Sequence, residues 1–370
     1  MTETTKLQNK IRGSLLGGAI GDALGYQVEF DLISKPAKIT RYKNDNGIIS
    51  DDTQMTLFTA DALLWRETRF HVKGIAMLPP DAIHLALLDW LRTQQKTDNH
   101  QSISWLESIK ELNIVRNPGA TCISALSSDQ RRSINEPLND SYGCGGIMRI
   151  APIGLYLNSN VAGKFSAETC AITHGHPTAI ISAFILGQMI CYLTNTNLNV
   201  EKAFRKATND LKTWVTNGVV YGKLKNARRT NCIYREKYRN VIDLLEKAIK
   251  LASNNLDDLT NIAILGSGFT ADEAFAIALY STIKYSDSFE KAVVCAVNHD
   301  GDSDSTGAIA GNIIGAYLGY NKIPNYYKNH IELKNVILEL ADDLSASVPL
   351  NSSGEITDKT WLKKYVIISK

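Results

Sequence analysis

Apolar residues recur three and four positions apart along most of this chain. That spacing predicts helices over residues 12–28, 52–66, 80–93, 103–113, 177–195, 200–215, 239–253, 271–285 and 288–298. Period-two alternation is scarce, and VYGKLKNARR at 220–229 is too polar to assign. The expectation is an all-α globule of many packed helices. No low-complexity tract, Pro/Gly linker or short repeat divides it.

Two predicted helices break the rule that glycine avoids helix interiors. Glycine stands at 13, 17, 21 and 25, and again at 307, 311, 315 and 319. A spacing of four puts each set on one helix face. Each interior glycine costs about 1 kcal/mol against alanine, so close backbone packing has to offset the penalty. Small-residue faces of this kind also pack helices in membranes. Here Asp22 interrupts the first run, and neither run is long enough to span a bilayer. The simpler expectation is two buried helices, placed to touch each other, at the centre of one domain. The two ends of the chain would then build a single core.

Composition narrows the field without identifying an activity. The 370 residues are 44% hydrophobic and 21% charged, with a net charge of +2, so nothing global demands a nucleic acid or a membrane. The polar opening MTETTKLQNKIRG lacks the apolar core of a signal peptide. The six cysteines are scattered without zinc spacing, which fits free thiols and an expected cytoplasmic location. The strip 201–240 carries 11 Lys/Arg against 3 Asp/Glu, either a solvated helical face or a docking surface for an acidic partner.

The candidate chemistry lies at two helix mouths. HDGDSDSTGAIAG (299–311) places three aspartates before an apolar run, and ISDDTQMTLF (49–58) places two. One aspartate is an ordinary N-cap, but several close together repel unless a cation intervenes. An EF-hand does not fit, because Ser305 and Gly311 stand where its glycine and closing glutamate belong. Each cluster offers two carboxylates and a hydroxyl, hard oxygen donors suited to Mg2+ or Mn2+. A metal site and two unrelated caps both remain open on the residues alone. Glu29 reads as a solvated loop carboxylate. DSYGCGGIMRIAP (140–152) reads as an ordinary turn or as a loop turning N–H groups toward an anion.

In combination these segments resemble the ADP-ribosylglycohydrolases. SDDTQMTL and HDGDSDSTGAIAGNIIGA are similar to the family's two metal signatures. GSLLGGAIGDALGYQVEF, NPGATCISAL, YGCGGIMRIAPIGLY and THGHPTA are similar to its other motifs, in the family's order over residues 11–320. The resemblance implies one all-α domain over residues 1–370, with a core of about 11–335 and a central dimetal cleft holding two Mg2+ or Mn2+. Ser50, Asp51 and Asp52 match one ligand cluster, and Asp302, Asp304 and Ser305 the other. Asp300 is not counted as a ligand. Glu29 matches a catalytic carboxylate. Ser141, Tyr142, Gly143, Gly145, Gly146 and Met148 match the loop that cradles the diphosphate of ADP-ribose, and His174 matches a histidine near the ribose or phosphates. Cys144 stands where some relatives carry asparagine and is left out of the site. Asn117 in NPG borders it.

The implied activity is hydrolysis of ADP-ribose from modified protein side chains, with arginine as the expected linkage. Serine-linked, polymeric or small-molecule ADP-ribose is the alternative. A second class of function is an immunity protein that occludes an ADP-ribosylating toxin. Metal clusters that look complete favour catalysis.

Overall fold

The computed structural model describes residues 3–29, 38–96, 102–128, 130–216 and 227–366. Sixteen α-helices carry this part of the chain, and no strand longer than an isolated bridge occurs among the described residues. The helices are α1 Glu3–Tyr26, α2 Asp51–Lys73, α3 Pro79–Gln95, α4 Ala120–Leu126, α5 Ala151–Tyr156, α6 Ala162–Cys170, α7 Pro177–Asn195 and α8 Val200–Thr216. They continue with α9 Ala227–Leu251, α10 Asp258–Leu265, α11 Ala271–Lys284, α12 Phe289–Val297, α13 Ser303–Leu318, α14 Asn325–His330, α15 Lys334–Ala346 and α16 Lys359–Tyr365. The all-α expectation holds.

Helix α1 starts nine residues before the expected 12 and α2 runs seven beyond the expected 66, and two further expectations need adjustment. Residues 103–113 form two short 3-10 turns, Trp105–Ser108 and Lys110–Asn113, not one helix. Asp89 on α3 explains the first of these. Its carboxylate accepts the N–H groups of Ile103 (2.8 Å) and Ser104 (2.9 Å), tying the segment to α3 where a helix would need those groups pointed along its own axis. The second adjustment is α9, which starts twelve residues before the predicted 239. Most of 220–229, and the middle of the basic strip, lie outside the described residues.

The glycine faces meet. Helices α1 and α13 run antiparallel, and a methyl group added to either would land on the other's backbone. At Gly13 it meets the Gly315 carbonyl, at Gly17 that of Gly311, at Gly21 that of Gly307 and at Gly25 that of Ser303. Alanine at any of these positions would force the axes apart, so the seam needs glycine for clearance and not for an unusual φ. Two reciprocal hydrogen bonds fix its register: Ser14 Oγ donates to the Asn312 carbonyl and Asn312 Nδ2 to the Ser14 carbonyl, both at 2.9 Å. Around this pair pack α15 and α12, and then α11 and α7. Helix α7 is long and apolar enough to cross a membrane, but it is buried in the fold from Pro177 to Thr194.

Candidate active site

The seam delivers one end of each glycine helix to the same place. Where α1 ends, the chain turns through Val28 to Glu29. Opposite that point α13 begins, with Asp302 as its N-cap accepting from Ser305 N at 3.2 Å. Carboxylate oxygens of Glu29, Asp302 and Asp304 lie within 4.8 Å of one another. These residues are 273 to 275 positions apart in sequence (302 − 29 and 304 − 29), so only the antiparallel pairing brings them together.

Helix α2 supplies the third part, and Asp22 holds it. Asp22 stands one position after Gly21 and is fully buried. Its carboxylate accepts from Ser50 N (3.0 and 3.1 Å), from Thr53 N (3.1 Å) and from the Thr53 hydroxyl. It therefore receives backbone donors at the mouth of α2 that the helix cannot satisfy itself. Burial raises the Asp22 carboxyl to about 6 despite those hydrogen bonds. Ser50 completes the cap, its hydroxyl oxygen accepting from Asp52 N at 3.2 Å. Asp51 is aimed by the NPG turn: Gly119 N donates to its Oδ2 (3.2 Å), and its own N–H goes to the Arg116 carbonyl (3.1 Å). Asn117 takes the left-handed conformation, φ 53°, to make that turn.

This leaves buried negative charge facing buried negative charge. Asp52 is 2% exposed and its Oδ2 has no hydrogen-bond partner. Burial, and then the repulsion of Asp51, Asp22 and Asp302, pushes the Asp52 carboxyl well above the usual range, while Ser305 beside it pulls the other way. Burial first, and neighbouring carboxylates after it, does the same to Asp51 and Asp304. Glu29 is raised to about 8 by burial and by Asp302 and Asp22. Such an arrangement suits a hard divalent cation. The Glu29–Asp302–Asp304 group has the oxygen donors and the mutual approach that could hold one. The predicted ligands Asp302 and Asp304 are thus joined by Glu29, which sequence reading assigned to catalysis alone. Asp51, Asp52 and Ser50 come from α2 on the other side.

The glycine loop lies against this cluster. Tyr142–Cys144 pairs with Phe269–Ala271 through Cys144 N to the Phe269 carbonyl (3.1 Å) and Ala271 N to the Tyr142 carbonyl (2.8 Å). The Cys144 thiol reaches Asp302 Oδ2 at 2.6 Å. Ser141 accepts from His176 N through its carbonyl, and Tyr142 is exposed beside the His176 ring. His176 caps α7, its Nδ1 accepting from Thr178 N at 3.1 Å. Gly145 and Gly146 pack on His174 and on the sulfurs of Cys122 and Cys170, with no room for a side chain at Gly146. Met148 is buried in the core, its N–H bonded to the Cys144 carbonyl (3.2 Å), which sets it beneath the loop.

Sequence reading gave no role to Asp22, Cys144 or Arg149. Asp22 had a signal: a carboxylate inside a glycine face that must be buried requires donors. Arg149 had none, since one arginine in a helical chain is ordinary.

Known proteins resemble this chain over most of its length. Residues 3–353 match the family model described as ADP-ribosylglycohydrolase. The chain is 25% identical to the ADP-ribosylarginine hydrolase Tri1 of Serratia proteamaculans, over 92% of this chain and 80% of that protein. It is 22% identical to human ADP-ribosylhydrolase ARH3, over 88% and 89%, and 23% identical to the ADP-ribosyl-[dinitrogen reductase] glycohydrolase of Rhodospirillum rubrum, over 89% and 92%. A solved structure titled ADP-ribosylglycohydrolase-related protein complex shares the fold, with a TM-score of 0.59, 21% identity and coverage of 93% and 99%.

Proposed function

The chain belongs to the ADP-ribosylglycohydrolase family and is a hydrolytic enzyme, and from that premise we propose that it releases ADP-ribose from modified arginine side chains with the help of two divalent ions, Mg2+ or Mn2+. The observation that carries this reading is the convergence of Glu29, Asp302 and Asp304 opposite the capped mouth of α2. The similarity to an ADP-ribosylarginine hydrolase over most of both chains supports arginine as the linkage.

In this reading Asp302, Asp304 and Ser305 hold metal from α13, and Ser50, Asp51 and Asp52 from α2. Divalent ions there would orient ribose oxygens and acidify a bound water. The protein's own groups do the rest. Ser141, Tyr142, Gly143, Gly145, Gly146 and Met148 form the loop that receives the diphosphate, and His174 lies against it. Fixing the diphosphate fixes the anomeric carbon relative to Glu29. Glu29, set beside Asp302 and Asp304, is placed to pass a proton to or from the reacting groups. Water adds to the anomeric carbon, the carbon–nitrogen bond breaks with its electron pair going to nitrogen, and the departing guanidine takes up a proton. The transition state is oxocarbenium-like, as in other glycosyl cleavages.

The test is release of free ADP-ribose from a defined arginine-ADP-ribosylated protein, with Mg2+, with Mg2+ plus chelator, and with Asp304→Ala. The expected result is release that requires metal and disappears in the variant. Release from serine-linked or polymeric ADP-ribose only would replace the linkage. A folded, metal-loaded protein without turnover on any linkage would favour the toxin-binding alternative, read directly by whether Asp304→Ala still binds toxin.

A further inference from the structure

Among the described residues, Arg149 is the largest charged side chain that is wholly buried. It is 0% exposed and, among the described residues, makes no ion pair. Its Nη1 donates to the Gly145 carbonyl (2.5 Å), and Cys122 Sγ lies 3.6 Å away. Its Nη2 donates to Thr173 Oγ1 at 2.6 Å. Thr173 Oγ1 in turn lies 2.8 Å from His174 Nδ1. Arg149, Thr173 and His174 thus form one line from the core to the inner side of the glycine loop.

The direction of the protons along that line follows from what each group can do. A guanidinium only donates, so Thr173 Oγ1 accepts from Arg149. The hydroxyl keeps one proton to give. Two acceptors are within its reach, the imidazole nitrogen and the weakly accepting sulfur of Cys122. Nitrogen is the better acceptor, so the proton goes to Nδ1. A neutral imidazole has one donor and one acceptor nitrogen, and with Nδ1 accepting, the ring proton sits on Nε2. That nitrogen faces the loop: a methyl group added at Gly143 would stand 3.4 Å from it, and one at Gly145 3.5 Å. Burial and the Arg149 charge hold the ring neutral, lowering His174 to about 3. The other titratable groups around it, Cys122 and Cys170, have thiols raised by burial, so they add no negative charge to oppose this.

We propose that Arg149 and Thr173 are positioning residues that lock His174 as a neutral imidazole with its proton on Nε2, presented as a fixed hydrogen-bond donor to a phosphate oxygen at the Gly143–Gly145 loop. The identity of the acceptor rests on the ADP-ribose reading above; the proton arrangement does not. A histidine held this way binds an anion without itself carrying charge.

Two measurements test this. Long-range nitrogen–proton correlation spectra of the free, full-length protein report the tautomer. The expected signals for His174 are a protonated Nε2 and an unprotonated Nδ1, unchanged from pH 5 to pH 8, with the tautomer becoming mixed in the near-isosteric Thr173→Val. A protonated Nδ1 in the wild type, or titration with an ordinary histidine pKa, overturns the lock. Calorimetry with free ADP-ribose tests the donor. A glutamine amide reaches about where Nε2–H does, so His174→Gln should keep near wild-type affinity. His174→Ala should lose on the order of tenfold or more, and Thr173→Val an intermediate factor. Equal affinity of His174→Ala and wild type overturns the donor role. Absence of ADP-ribose binding in the wild type overturns the substrate reading instead, and the spectra still decide the tautomer.

Discussion

Consider Gly311→Ala. Helix propensity alone predicts a gain, since alanine in a helix interior is favoured over glycine by about 1 kcal/mol. The seam predicts the opposite. The new Cβ would overlap the Gly17 carbonyl and press on the backbone of Gly17 and Gly18. Neither obstacle is a flexible side-chain end that can swing away, so the axes of α1 and α13 would have to separate by more than about 1 Å to reach ordinary contact. Overpacking of this kind costs about 1–3 kcal/mol, and more where both partners are rigid backbone. Taking the upper end of that range and subtracting the propensity gain, the net expectation is a loss of about 2 kcal/mol. Urea unfolding measures it as a lower midpoint at unchanged slope. Gly119→Ala is the control: its φ is −57° and the nearest atom to the added methyl, Cys122 Sγ, is 4.0 Å away, so the change should be within about 0.5 kcal/mol. Activity should fall further than stability in Gly311→Ala, because the seam also sets the distance between Glu29 and Asp302. A Gly311→Ala protein as stable as wild type would refute the clearance argument.

Asp22→Asn should weaken Mn2+ binding about 10–100-fold by calorimetry, because an amide cannot accept all the donors at the mouth of α2. Asp61, whose carboxyl oxygens lack hydrogen-bond partners although Ser104 and Trp105 lie alongside, is raised by burial to about 8. Its folded value exceeds the unfolded one, so its contribution to stability is complete below about pH 4 and drains away as pH rises through 8. Asp61→Asn should therefore gain on wild type by up to about 1.4 kcal/mol per pH unit across that window, read from urea midpoints at pH 5 and pH 8. Saturating Mg2+ should raise the melting temperature of the wild type, a hundredfold excess over Kd being equivalent to about 2.7 kcal/mol, and should do little for Asp304→Ala; equal shifts in both would place the binding elsewhere.

Much of this was legible in the chain because it repeated. The two runs of glycine at a spacing of four declared both helices and their contact, and the paired carboxylate–hydroxyl clusters declared two helix mouths. What was hidden depended on distance through space. The capping of Ser50 by Asp22 joins residues 28 apart, and the thiol of Cys144 meets Asp302 across 158. The 103–113 segment carries helical spacing, yet one buried carboxylate on α3 captures its N–H groups. Short helices such as α5 and α6 show too few turns for periodicity to register.

The antiparallel seam also imposes an order in time. Helix α1 leaves the ribosome early with a bare glycine face, and its partner α13 is complete only at residue 318. At about 5–20 residues per second, α1 waits roughly 15–60 s for the one surface that fits it. Through that interval Glu29 has no Asp302 opposite it, so a nascent chain carries only part of the acidic cluster. Truncation anywhere before α13 removes the seam and the site together. The acidic cluster therefore has no early form: it is complete only when the helix that begins at Ser303 closes on the helix that ends at Tyr26.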